Sequence, residues 1–160
     1  MTRPELPVLI AQLRADLEQC GRVVQKVDGF WGLAGREGRT EERLAALAIS
    51  LHNFYNGVER IFDRIARAVD ESQPSGPSSH RELLDRMVVS VEGLRPAVID
   101  EATRASLRPF LEFRHRVRHL YYFDLAWQDV ADLATQLAGV WPGLRRELEL
   151  FFSEIDAKPS

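Results

Sequence analysis

The chain has 160 residues, of which 45% are apolar and 28% charged. That balance suits one folded domain spanning residues 1–160 and excludes a disordered chain. A net charge of −3 and a pI of about 5.8 exclude a uniformly basic protein built to coat nucleic acid or an anionic membrane. Nineteen of the 21 basic residues are Arg. Codon bias in a GC-rich genome explains such a ratio, and so does a use for planar guanidinium forks on phosphate.

A first helix is expected from about Pro4 to Asp28, with Pro4 suited to the first turn. Its apolar positions are Leu13, Leu17, Cys20, Val24 and Val27. Cys20 is the sole cysteine, so an intrachain disulfide and a thiolate metal cluster are both excluded, and a buried small hydrophobe is expected there. Gln12 and Arg14 interrupt the early apolar run before a signal-peptide core forms, and no apolar run approaches the length of ~20 that spans a bilayer. A cytoplasmic protein without membrane association is expected. Gly29, Gly32, Gly35 and Gly38 predict a loop over 29–39 carrying an exposed or half-docked Trp31.

The clearest periodicity follows. Leu44, Leu47, Ala48, Leu51, Phe54, Val58, Ile61, Phe62, Ile65 and Val69 are spaced as one stripe of a long helix. Thr40 is its expected N-cap, with Glu41 and Glu42 in the first turn. Residues 71–79, rich in Ser and Pro, read as an exposed loop. A third helix is predicted from about His80 to Glu92, closed by Gly93 and Pro96, with a loop over 93–100. Asp100 caps a fourth, from about Glu101 to Arg118. Asp124 opens a fifth, which Gly139 and Pro142 are expected to kink or restart before it reaches about Ile155, leaving a frayed tail over 156–160. No segment alternates with period two for long enough to make a strand. The expected fold is all-α, an antiparallel bundle of about five helices.

The near-neutral total hides an uneven distribution. Between Arg104 and His119 there are five Arg (104, 108, 114, 116 and 118), one Glu and two His, a formal charge of +4 with His neutral. The remainder of the chain therefore carries −7. A solvated face paired with acids on neighbouring helices is the ordinary meaning of such a cluster. Its chemistry allows more. A His titrating near neutrality can take the proton from a ribose 2′-hydroxyl or give one to a leaving 5′-oxygen. An Arg can hold the scissile phosphate and stabilise its transition-state charge. A neighbouring Tyr can stack a base or donate a hydrogen bond. Arg114 and His119 are five apart and diverge by about 140° on an unbroken helix. They converge if the helix frays after Arg118, or if each meets its complement across a two-fold axis.

Arg114, His119 and Tyr121 spell R-x4-H-x-Y, which resembles the signature of HepT-like toxins in the HEPN ribonuclease superfamily, with His115 as the polar residue often found after the Arg. Leu51-His-Asn-Phe-Tyr-Asn-Gly-Val-Glu-Arg-Ile-Phe62 resembles the long second helix of that family, Arg95-Pro-Ala-Val-Ile-Asp100 its lead-in to the motif helix, and Asp124-Leu-Ala-Trp127 the start of its last helix. The likeness covers roughly residues 44–135. It implies an HEPN-type helical bundle, usually a homodimer with the two motifs facing one cleft. It implies a metal-independent endoribonuclease toxin with an RNA substrate, with no cofactor. It also implies a minimal nucleotidyltransferase antitoxin that transfers AMP from ATP to the motif Tyr. Arg114 and His119 would then be catalytic and Tyr121 the AMP acceptor, with His115, Arg116 and Arg118 supporting or binding phosphate. An adenylate beside His119 would bring charge and bulk that exclude an RNA phosphate. The apolar run Leu120, Tyr122 and Phe123 leaves Tyr122 as the alternative acceptor.

Other readings stand beside this one. His115 and His119 have the i, i+4 spacing of a zinc pair, but three neighbouring Arg would repel a cation and no third ligand is evident, so no metal is expected. His52 and His80 read as an ordinary helix residue and a helix-start residue. Phe54, Tyr55, Phe62, Phe110 and Phe113 read as core or dimer-interface aromatics. Asn53 and Glu59 lie on the long helix without periodicity placing them at a cleft. The alternative functions are a catalytically silent module of this class that binds a nucleotidyltransferase or nucleic acid, and a dimeric helical protein whose basic face docks an acidic partner.

Overall fold

The computed structural model describes residues 5–119 and 124–157, the side chains of Arg118 and His119 excepted. Its described residues form helices α1 (Glu5–Glu37), α2 (Glu41–Ile65), α3 (Ser79–Arg86), α4 (Glu101–His119) and α5 (Trp127–Ala157). A π-helical turn, Ala66–Asp70, continues α2. The fold is an all-α bundle, as expected.

Helix α2 is the axis of the bundle and packs against each of the other four. Its predicted stripe is its buried face, from Leu44 to Ile65, because apolar residues spaced by three and four share one side of a helix. Thr40 caps it as expected, its Oγ1 accepting from the Arg43 amide at 3.2 Å. Helices α1 and α2 run antiparallel. Arg43 of α2 lies near Glu37 at one end, and Arg64 meets Asp16 at 2.6 Å near the other. Between them Gly57 faces Cys20 so closely that a Cβ would lie 2.8 Å from its Sγ. Cys20 is buried, and burial pushes its thiol up to about 12, followed by the nearby Asp16 charge. It packs as the expected hydrophobe.

Helices α4 and α5 also run antiparallel. The Asp100 amide meets Glu147 at one end, and Arg116 meets Asp129 near the other. Asp100 caps α4 as expected, its Oδ1 accepting from the Thr103 amide at 2.8 Å. Phe54, Tyr55, Phe62, Phe110 and Phe113 all lie in the core, with Phe54 and Phe110 edge-to-face at 5.3 Å.

Several sequence-based boundaries shift. Residues 29–37 are not loop but the last turns of α1. Helical Gly costs about 1 kcal/mol relative to Ala, but Phe30 and Trp31 pack on the core and Ala34 is buried, which offsets it. Of those four glycines Gly38 alone takes a positive φ, 103°, and there the chain turns. Trp31 is half-docked, and the Arg39 guanidinium lies over its ring and over that of Trp127, 5.6 and 5.2 Å from the centroids.

Helix α3 ends at Arg86 rather than Glu92. The β-branched Val88, Val89 and Val91 favour extended backbone. The Met87 carbonyl accepts from Val98 at 2.8 Å instead of from a next helical turn. Helix α5 begins at Trp127 rather than Asp124 and runs unbroken through Gly139 and Pro142. Buried Val130, Leu133 and Leu137 before the proline, and Leu144, Leu148 and Phe152 after it, hold both halves on one core. Asp156 and Ala157 are helical rather than frayed, and residues 158–160 lie outside the described residues.

The connection from α3 to α4 is tied down by Arg95, whose side chain is fully buried. Its Nε and one terminal nitrogen grip the Asp70 carboxylate at 2.6 and 3.2 Å. Its terminal nitrogens also donate to the carbonyls of Val89, Pro96 and Arg86 at 2.7, 3.1 and 3.3 Å. Each of its five N–H groups has an acceptor, which is what makes a buried guanidinium tolerable. No helix among the described residues is long and apolar enough to cross a membrane.

Candidate functional site

Leu107, Phe110, Leu111 and Phe113 anchor α4 in the core. Helical geometry then carries Arg114 along the seam with α2. There its Nε donates to the Asn56 side-chain oxygen. One terminal nitrogen lies 3.3 Å from His80 Nδ1 and 3.6 Å from Glu59 Oε2. Asn56 and Glu59 are three apart on α2 and so share a face. His80 comes from the first turn of α3, and its Nδ1 meets Glu59 Oε1 at 2.6 Å.

One carboxylate thus joins an imidazole and a guanidinium. Glu59 and Arg114 each keep 14% of their side-chain surface, whereas His80 keeps 42%. The cluster is closed towards the core and open on the imidazole side. A carboxylate is an acceptor, so at 2.6 Å it accepts the Nδ1–H hydrogen bond, which in a neutral ring leaves Nε2 as the nitrogen with the lone pair. The guanidinium fork is half committed. Among the described residues no hydrogen bond engages the second terminal nitrogen of Arg114. One turn before Glu59, the Tyr55 hydroxyl is buried with no hydrogen-bond partner among the described residues. Burial drives its phenol far above its usual value, with Glu59 acting in the same direction and Arg114 against it.

The rest of the basic segment divides. Arg104 and Arg108 both reach Asp85 of α3, at 3.2 and 3.1 Å, and Arg104 also meets Glu101. These two are the surface-paired charges that the ordinary reading describes. Arg116 is half-exposed, 3.5 Å from Asp129, an open pair of small energetic value that leaves the charge available. His115 is exposed.

The backbone of α4 continues through Arg118 to His119, so fraying after Arg118 does not bring His119 round to Arg114. The two positions diverge by about 140° on the same helix. The side chains of Arg118 and His119, and all of Tyr121 and Tyr122, lie outside the described residues. Of the two helix residues left without a place, Glu59 sits in the cluster and Asn53 is exposed. Sequence reasoning missed Asn56; His80 is the helix-start residue it expected, and it also meets Glu59. The available signal was Asn56 and Glu59 three apart, interleaved with the apolar stripe. Nothing local to His80 announced its partners.

No three His, Cys, Asp or Glu side chains among the described residues converge as a metal would require. A groove of about 870 Å³ between α1 and α5, lined by Arg14, Gly21, Trp141 and Arg145 among others, includes none of the cluster. Its walls offer no comparable joining of acid, imidazole and guanidinium, so the chemistry points to the α2–α3–α4 seam.

A comparison with protein families matches residues 46–155 to the family described as HepT-like protein. No curated protein and no solved structure matches.

Proposed function

The chain belongs to the HepT-like family, whose members imply a toxin or ribonuclease module of the HEPN type, and we propose that it is a metal-independent endoribonuclease toxin. The observation that carries this reading is the setting of Arg114. Asn56 and Glu59 hold the motif guanidinium in one orientation, while one terminal nitrogen makes no hydrogen bond among the described residues. A fork so held binds a phosphodiester with little further loss of side-chain freedom, and its charge stabilises the transition state.

His119 supplies the motif imidazole. The helical path of α4 through that residue supports a shared site, in which Arg114 of one chain is completed by His119 of a second copy in a cleft on the two-fold axis of a homodimer. Arg116 and Arg118 lead phosphates towards it, with His115 at the rim. A minimal nucleotidyltransferase antitoxin silences the site by transferring AMP to Tyr121, or to Tyr122.

The deciding experiment is cleavage of RNA by the purified chain and by His119→Ala. The parent is expected to cut RNA with excess EDTA present, and the variant to lose cleavage by about 100-fold or more while still self-associating. Equal cleavage by both would remove His119 from the mechanism. Complete inactivity of the parent favours the silent-module reading. Intact mass after incubation with the nucleotidyltransferase and ATP should rise by one adenylate in the parent and not in Tyr121→Phe. Modification of Tyr121→Phe as full as the parent's transfers the acceptor role to Tyr122.

A further inference from the structure

The imidazole beside Arg114 within one chain is that of His80. We propose that His80 is a second catalytic histidine, the base that takes the proton from the ribose 2′-hydroxyl. This assignment rests on the ribonuclease reading above.

Three observations converge on it. His80 Nδ1 is engaged by Glu59 at 2.6 Å, which fixes the ring and its tautomer. The same nitrogen lies 3.3 Å from a terminal nitrogen of Arg114, so a phosphate gripped by that guanidinium would lie near the ring. The side chain keeps 42% of its surface, and among the described residues Nε2 makes no hydrogen bond, so it is the ring nitrogen free to take a proton. A base oriented by a carboxylate, next to an electrophile-binding cation, is the arrangement general-base catalysis needs. The charged or titratable groups around the ring are Glu59 of α2 and Arg114 of α4, with the Tyr55 phenol, Asp85 and Arg108 coupled to the same cluster.

The step then balances with two imidazoles. The 2′-oxygen bonds to phosphorus as its proton passes to His80 Nε2. The bond from phosphorus to the 5′-oxygen breaks, and protonated His119 gives that oxygen its proton. The products are a 2′,3′-cyclic phosphate end and a 5′-hydroxyl end. Water returns both rings to their starting states, and Arg114 balances the extra negative charge in between.

The test is the pH–rate profile of the full chain and of His80→Gln on a fluorophore–quencher RNA oligonucleotide of mixed sequence. The parent should give a bell, its acid limb reporting the base and its alkaline limb the acid. His80→Gln should lower the rate by about 100-fold or more and lose the acid limb. Retention of that limb, whatever the drop in rate, overturns the assignment while leaving the ribonuclease reading intact. An inert parent overturns both. A second measurement needs no variant: in the chain labelled with 15N-histidine, uridine 3′-monophosphate should move the His80 Nε2 resonance, and an unmoved resonance overturns the assignment.

Discussion

Arg95 and Arg114 are both guanidiniums drawn out of water beside an acid, and the molecule treats them oppositely. Arg95 is fully buried with all five N–H groups matched to Asp70 and three carbonyls. Arg114 keeps some exposure, and its acid partner is shared with a half-exposed histidine. The first arrangement leaves nothing for a ligand and holds the connection between α3 and α4. The second leaves a donor unspent among the described residues and an imidazole half-exposed. Hydrogen-bond completeness, rather than charge or burial alone, separates the structural arginine from the one proposed to work.

Substitutions at the two arginines should separate these roles. Arg95→Met strands the Asp70 carboxylate, which is 8% exposed, and three carbonyls. Urea unfolding should show a loss of about 3–5 kcal/mol, with cleavage per folded molecule unchanged. A loss below about 1 kcal/mol would mean that the clamp is not structural. Arg114→Gln should do the reverse. Cleavage should fall by about 100- to 1,000-fold, whereas stability should fall by about 1–2 kcal/mol. Cleavage that survives this change removes the contrast altogether.

Smaller effects test the end of the connection that Arg95 holds. Asp100→Ala removes the cap of α4 and should cost about 1 kcal/mol in urea unfolding. The Thr103 amide, donating to its carboxylate, holds Asp100 below its ordinary value of 3.8. Its stabilisation is therefore present above that value and lost as pH falls through the depressed one. Acid unfolding of Asp100→Ala should accordingly be less steep than the parent's.

Glu147 has the opposite sign. Burial is the main cause that raises it above 4.5, against the hydrogen bonds from Thr103 and the Asp100 amide, and its Oε2 has no partner among the described residues. It favours the folded chain most when protonated, and that contribution is lost as pH rises through the raised value. Glu147→Gln should raise the melting temperature by roughly 1–2 °C at pH 7, and the gain should vanish near pH 4. A gain that grows on acidification would reverse the assignment.

The sequence alone determined the helical class, the α2 stripe, the caps at Thr40 and Asp100, and Arg114 as the guanidinium to examine. Periodicity, capping chemistry and the R-x4-H-x-Y spacing are local, so they are written in adjacent residues. The tertiary structure decided the rest. It carried α1 through three glycines because Phe30, Trp31 and Ala34 had a core to join. It carried α5 through Pro142 because apolar residues on both sides share one core. It also separated the +4 segment into Arg104 and Arg108, neutralised by Asp85, and Arg114, turned towards Asn56, Glu59 and His80. Those partners lie 58, 55 and 34 positions from Arg114 along the chain. No pattern within one helix reports which distant side chains meet it, because that depends on how α2, α3 and α4 pack.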